Sequence, residues 1–279
     1  MENVNKIFGK VIVVVAPHID DGVLACGGTI AQITDKEKIH FVYATDSSKS
    51  PIPAFLSSNK PDRNLSSIRM KEAKVALTKL GIVASNIHFL GFPDGQLSFH
   101  GQEFKRSFTE LIKRIKPNQI LIPFRYDCHR DHLSTNRFVT QVIQNTKYSA
   151  ELFEYFVYYR FRLLPREDIR NYINLNYLVK IDIASEHNVK KAALECFKSQ
   201  VTKFYQWQNR PIMTRQLREE VCSNPEYFLK VNALSKSTKL FTRFNHWIPV
   251  IHRVEPLLKK TKDRGLLFLQ SIVKLKIVN

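Results

Sequence analysis

Val11-Ile-Val-Val-Val-Ala16 is an unbroken apolar run, mostly β-branched, with no polar residue to face water. A strand with one wet face alternates polar and apolar residues. A continuous run instead marks a strand covered on both faces, the usual condition in a parallel sheet. Parallel neighbours cannot be joined by a hairpin, so the chain must cross back over the sheet, usually through a helix. The sequence offers such crossovers. Residues 22–33 read as a helix, Ile39-His-Phe-Val-Tyr-Ala44 as a second strand, and residues 67–80 as another helix. That helix has Met70, Ala73, Leu77 and Leu80 on one face and Gly81 as its C-terminal stop. Residues 87–90 read as a short strand followed by the turn Phe92-Pro-Asp-Gly95. Phe104, Phe108, Leu111, Ile112 and Ile115 then share one helical face, and after Pro117 comes the buried strand Ile120-Leu-Ile122. This alternation implies right-handed crossovers and a three-layer α/β fold with a mainly parallel sheet.

Beyond about residue 150 the pattern changes. Residues 152–159 and 177–183 read as strands, and 186–201 as an amphipathic helix with Val189, Ala193, Phe197 and Val201 inward. From residue 236 to the end there are ten Lys/Arg and two acids, interleaved with Leu240, Phe241, Phe244, Trp247 and Ile248. The expected division is therefore a catalytic domain over 1–235 and a basic, partly amphipathic extension over 236–279. The whole chain has 279 residues and a formal charge of +18, which points to a polyanionic partner, a phosphorylated substrate or an anionic membrane surface. No run reaches the ~18 apolar residues of a membrane span, and residues 11–16 are too short for a signal-peptide core. The four cysteines form no CxxC pair, so a reducing, cytoplasmic setting is expected.

Two polar clusters carry the chemistry. Pro17-His18-Ile19-Asp20-Asp21-Gly22 follows the first strand, and Asp127-Cys128-His129-Arg130-Asp131-His132 follows the Ile120 strand. Ligands in open α/β sheets bind outside the carboxyl ends of the strands, so both clusters belong at the same sheet edge. Two histidines and a carboxylate with one open position are a recurrent catalytic zinc set. His18 and His132 can supply imidazoles and one aspartate the oxygen, which leaves the other aspartate free as a base.

At these residues the chain resembles the PIG-L/LmbE-like zinc-dependent de-N-acetylases, whose fold is Rossmann-like. The family's AHPDDE motif corresponds to Ala16-Pro17-His18-Ile19-Asp20-Asp21, and its HPDH motif to His129-Arg130-Asp131-His132. Between them, Arg69-x-x-Glu72-x-x-x-Ala76-x-x-x-Leu80-Gly81 looks like the family's helix after the second strand. Phe89-Leu-Gly-Phe-Pro-Asp94-Gly95 looks like its LGxxDG turn, and Ile115-Lys-Pro-Asn-Gln-Ile-Leu-Ile-Pro123 like the approach to the second motif. The similarity covers about residues 10–140, with a weaker trace at Lys198-Ser-Gln200.

The resemblance implies that His18, Asp21 and His132 bind Zn2+ and that Asp20 is the general base. His129 would stabilise the tetrahedral oxyanion or protonate the leaving amine, with Asp131 orienting and charging it. Arg69 and Asp94 would line the sugar site. The reaction implied is removal of an N-acetyl group from an N-acetylglucosamine-type unit of a glycoconjugate or small glycoside. Two departures stand out: Ile19 replaces a proline and Gly22 replaces a glutamate, which removes a carboxylate expected near the pocket. Arg125 and Arg130 flank the second cluster and suit a phosphate beside the sugar. The alternatives are a metal amidase acting on a non-sugar amine and a catalytically silent anion- or membrane-binding relative. The expected partner is a lipid- or nucleotide-linked or free amino sugar. The 236–279 segment suits peripheral contact with an anionic membrane at its inner face. No recognition motif points to nucleic acid.

Overall fold

Alternating strand and helix signals become a seven-stranded sheet flanked by helices. A computed structural model describes residues 4–51, 63–125, 127, 129–157, 175–206, 208–223 and 225–231. In chain order the elements are α1 (Val4–Ile7), β1 (Ile12–Ala16), α2 (Asp21–Gln32), β2 (Ile39–Thr45), α3 (Arg63–Lys79), β3 (Ile87–Phe92), α4 (Gly101–Ile115) and β4 (Gln119–Pro123). There follow α5 (Arg130–Thr146), β5 (Glu151–Tyr155), β6 (Leu178–Ile181), α6 (His187–Leu194), α7 (Lys198–Val201), α8 (Arg215–Ser223) and β7 (Glu226–Lys230). The strand order is β3-β2-β1-β4-β5-β7-β6. The first five strands are parallel, and β7 runs antiparallel between β5 and β6.

Every residue of β1 is buried, and the strand period explains why both faces needed apolar side chains. Ile12, Val14 and Ala16 pack with Val23, Cys26 and Ile30 of α2 and Leu77 of α3. Val13 and Val15 point the other way, into Phe104, Phe108 and Ile112 of α4 and Phe138 and Val139 of α5. Fully burying such a side chain contributes about 1.5–3 kcal/mol, so the two faces together fasten both helical layers to the sheet.

This arrangement also decides where a site can form. From β1 the chain moves outward through β2 to β3, then returns to place β4 on the other side of β1. The direction of winding therefore reverses between β1 and β4, and a crevice opens at their carboxyl ends. Those two ends are the ones followed by the polar clusters.

The later elements differ from expectation. The 186–201 helix is interrupted: α6 stops at Leu194 and α7 restarts at Lys198. The break buries Phe197 and lets the Ser199 N–H and hydroxyl donate to Glu72 at 2.7 and 2.6 Å, fastening α7 to α3. The strands expected over 152–159 and 177–183 are shorter, as β5 and β6. Four elements were not anticipated: α1, α5, α8 and β7. β7 lies inside the sheet although it carries Glu226, because that carboxylate meets buried Lys190 at 2.7 Å and accepts the Gly28 and Thr29 N–H groups. Cys128, Trp207 and the whole 236–279 extension lie outside the described residues. No helix among the described residues is long and apolar enough to cross a membrane.

Candidate active site

The first cluster is presented by the exit of β1. The Pro17 carbonyl accepts from the Thr45 N–H (3.1 Å) and hydroxyl (2.8 Å), which pins the ends of β1 and β2 together. The chain then turns into α2, with Asp20 at the N-cap position and Asp21 in the first turn. A carboxylate there complements the positive end of the helix. The Asp21 carboxylate also accepts the His18 N–H at 2.9 Å, so the turn holds the His18 ring over the start of the helix.

Gly22 has a packing role. A Cβ at this position would lie 2.8 Å from Cε1 of Phe41 and 3.4 Å from Val14, both in the core. A side chain at 22 therefore starts toward the sheet, which is why a glutamate has no room here. Gly22→Ala should lower stability by about 1–3 kcal/mol through overpacking, less the ~1 kcal/mol that alanine gains in a helix. Denaturant titration checks this, with raised stability contradicting the packing account.

The second cluster is presented by β4. Asp127 N–H donates to the Phe124 carbonyl at 3.0 Å in a tight turn after the strand. His129 caps α5, its Nδ1 accepting the Asp131 N–H at 3.2 Å. That cap places Asp131 and His132 in the first helical turn, against β1. The two clusters then meet. His18 Nδ1 lies 3.0 Å from Asp21 Oδ2, His132 Nε2 lies 3.1 Å from the same oxygen, and the two nitrogens are 3.3 Å apart. At zinc–ligand distances of ~2.0–2.1 Å, tetrahedral ligand atoms stand roughly 3.3 Å apart, so this triangle has the edges a tetrahedral cation requires. Donor atoms of His18, His129 and His132, and of His18, Asp94 and Asp131, also fall within 4.8 Å of one another.

The electrostatics favour positive charge in the triangle. Burial opposes protonation of His18, but Asp21, Asp131 and Asp94 outweigh it and raise its pKa well above the usual value. Burial likewise opposes protonation of His132, yet Asp21 and Asp127 raise it to about 9. Asp21, despite burial, is held well below the usual carboxylate range by His132 and His18. Carboxylates packed this densely stay ionised only beside cations, supplied by protons on imidazole or by a metal ion. His129 is pushed down to about 3 by burial and by His18 and His132, against the opposing pull of Asp131 and Asp94. Asp20 goes the other way: burial raises it, and the Arg69 guanidinium 3.5 Å away only partly compensates.

The structure brings all eight expected residues into this one neighbourhood, with contacts the motifs did not specify. Asp131 accepts the Gly95 N–H (2.6 Å) and Leu97 N–H (3.2 Å) and lies 3.3 Å from His18 Nε2. Its carboxylate thus reaches His18, while its backbone N–H reaches His129. Asp94 Oδ1 lies 3.4 Å from His18 Nε2, and Oδ2 accepts the Lys49 N–H at 2.9 Å. Gly95 takes φ +70°, which lets the turn close under Asp131 and leaves room for Arg130 above it. Arg69 is only 1% exposed and donates to the carbonyls of Ser47 (2.8 Å) and Ser50 (3.3 Å). It braces the loop after β2, where Ser47 is held at φ +52°.

The two flanking arginines differ. Arg125 Nε donates to both oxygens of buried Glu154 at 2.9 Å, so its charge is neutralised. Arg130 forms no ion pair with the described residues and lies over Gly95, partly exposed beside His129. Sequence reasoning quoted Asp127 without a role, yet its carboxylate lies 2.9 Å from His132 Nδ1. Its position five residues before a candidate ligand was the available signal.

Residues 13–143 match the family model described as PIG-L, GlcNAc-PI de-N-acetylase, a segment that carries both clusters. Diacetylchitobiose deacetylase of Thermococcus kodakarensis is 28% identical over 127 residues, 44% of this chain and 45% of that protein. A probable N-acetyl-alpha-D-glucosaminyl L-malate deacetylase 2 of Bacillus cereus is 29% identical over 136 residues, 47% of this chain and 60% of that protein. The chain thus spans about half the length of these curated relatives. Among solved structures, N,N'-diacetylchitobiose deacetylase from Pyrococcus horikoshii superposes with a TM-score of 0.62 at 20% identity, covering 86% of this chain and 92% of that one. That likeness is one of fold and matches the mainly parallel sheet.

Proposed function

We propose that the chain is a metal-dependent N-deacetylase that hydrolyses the acetamide of an N-acetylglucosamine-type hexosamine, releasing acetate and a free amine. The observation that carries this reading is the triangle of His18 Nδ1, Asp21 Oδ2 and His132 Nε2, with Asp20 and His129 beside it. The relatives named as deacetylases of N-acetylglucosamine-containing compounds support it.

In this reading His18, Asp21 and His132 hold the ion, and zinc suits their two-nitrogen, one-oxygen set. When bound, such an ion polarises an acyl oxygen and makes water acidic enough to ionise near neutral pH. The remaining residues act on protons and position. Asp20, next to a ligand and with its carboxylate made more basic by burial, accepts the proton of the attacking water. His129, whose ring centroid is 4.7 Å from that of His18, is neutral with its N–H at Nε2, so it hydrogen-bonds the developing oxyanion, or protonates the leaving nitrogen after taking up the proton released by the attacking water. An amine leaves poorly unless protonated, so a second proton carrier on the far side of the carbonyl is required. Asp131 favours a proton on His129 through its charge. Asp94 and Arg69 shape the floor beneath the sugar.

Arg130 refines the choice of substrate. With no ion pair among the described residues, it suits an anionic substituent beside the sugar, whereas Arg125 is already paired with Glu154. Arg130→Gln should lower kcat/KM for a phosphorylated or carboxylated glycoside ~10–100-fold, the value of a charge-assisted hydrogen bond of about 1.5–3 kcal/mol. It should leave a neutral N-acetylhexosamine nearly unaffected. Equal losses on both substrates would remove Arg130 from specificity.

The function is tested by an acetate-release screen of zinc-loaded protein against free, nucleotide-linked and lipid-linked N-acetylhexosamines. Acetate from one of these classes is expected. Turnover confined to non-acetyl or non-sugar amides would replace the reading with that of a different amidase.

A further inference from the structure

We propose that Asp127 is a positioning residue that fixes the tautomer and ring orientation of His132 for cation binding. Asp127 Oδ2 lies 2.9 Å from His132 Nδ1, and both side chains are essentially buried, at 1% and 0% exposure. Across the ring, His132 Nε2 faces the triangle, 3.1 Å from Asp21 Oδ2 and 3.3 Å from His18 Nδ1.

A neutral imidazole carries one N–H, and an ionised carboxylate can only accept. Asp127 at Nδ1 is the nearer of the two carboxylates the ring meets, 2.9 Å against 3.1 Å for Asp21 at Nε2, and Asp21 is shared with His18, so the N–H sits on Nδ1 and the Nε2 lone pair faces the cation site. The brace is independent of the helix that carries the ligand. Asp127 is fixed by its N–H to the Phe124 carbonyl at the end of β4, whereas His132 rides on the first turn of α5. Closing the contact aligns these two elements, so the imidazole is aimed before any ion arrives. Asp131 makes a comparable contact to His18 Nε2, but at 3.3 Å and while also accepting two backbone N–H groups. Asp127 is thus the tighter of the two braces. Carboxylate partners of metal-binding histidines typically contribute 10–100-fold to metal affinity, through orientation and ligand basicity.

The proposal rests on the reading of His132 as a ligand, and the experiment separates the two. Zinc affinity of the full chain is measured by chelator competition for wild type, Asp127→Ala, Asp127→Asn and His132→Ala. The imidazole tautomer of His132 is followed by 15N NMR in metal-free protein at alkaline pH, where the ring is neutral. Asp127→Ala should bind zinc ~10–100-fold more weakly and lose the Nδ1–H preference. Asp127→Asn, whose amide oxygen is a weaker acceptor than a carboxylate, should fall between Ala and wild type. Should Asp127→Ala not fold, the Asn variant carries the same test. Affinity within twofold of wild type for the folded variants, with the tautomer unchanged and His132→Ala impaired, overturns the role of Asp127 alone. Wild-type affinity in His132→Ala overturns the ligand assignment and this proposal with it.

Discussion

Asp20→Asn will retain stoichiometric zinc yet lose about 10²–10⁴ in turnover, the usual contribution of a positioned general base. The substitution keeps the shape of the side chain and removes its ability to take a proton. Asp20 stands apart from the triangle edges, which are made by His18, Asp21 and His132. It pairs with Arg69 at 3.5 Å, and the asparagine oxygen can still accept from that guanidinium. Metal analysis alongside initial rates reads both halves of the expectation. Near-wild-type rates would remove Asp20 as the base, and loss of zinc would make it a ligand.

His132→Ala has the larger structural consequence. It removes one corner of the triangle, so zinc affinity should fall by more than the ~10–100-fold typical of outer-shell changes. It also leaves the carboxylates of Asp21 and Asp127 without the imidazole that each now meets at 3.1 and 2.9 Å. Breaking a buried charge pair by removing one partner typically costs about 3–5 kcal/mol, so the variant should also melt earlier. Chelator competition and denaturant titration on the same sample measure the two effects. Retention of stoichiometric zinc against a chelator would show that His132 is not a ligand.

Much of the site was legible in the sequence because its logic is local. A strand covered on both faces must be apolar throughout, so Val11-Ile-Val-Val-Val-Ala16 identified a central parallel strand before any packing was known. Loops after such strands face one edge, so His18-x-Asp20-Asp21 and His129-x-Asp131-His132 were bound to converge. What remained hidden depends on pairs distant in the chain. Lys190 and Glu226 stand 36 residues apart, and nothing local shows that the fold buries each against the other. With that pair hidden, β7 could not be seen as an interior strand. Arg125 looked available for an anion because Glu154, 29 residues on, gives no sequence sign of reaching it. The break between α6 and α7 depends on Glu72, which arrives from α3. Gly22, read as a missing carboxylate, also marks the close approach of α2 to Phe41.

The most direct test of the account couples acetate release to metal reconstitution in the intact chain. Protein stripped of metal is titrated with zinc while acetate is measured from an N-acetylglucosamine-containing substrate. The account predicts no release without metal, activity saturating at one equivalent, and silence in Asp20→Asn at the same zinc occupancy. Acetate release that persists in chelator, or a fully loaded protein that releases none from any N-acetylhexosamine class, would contradict it.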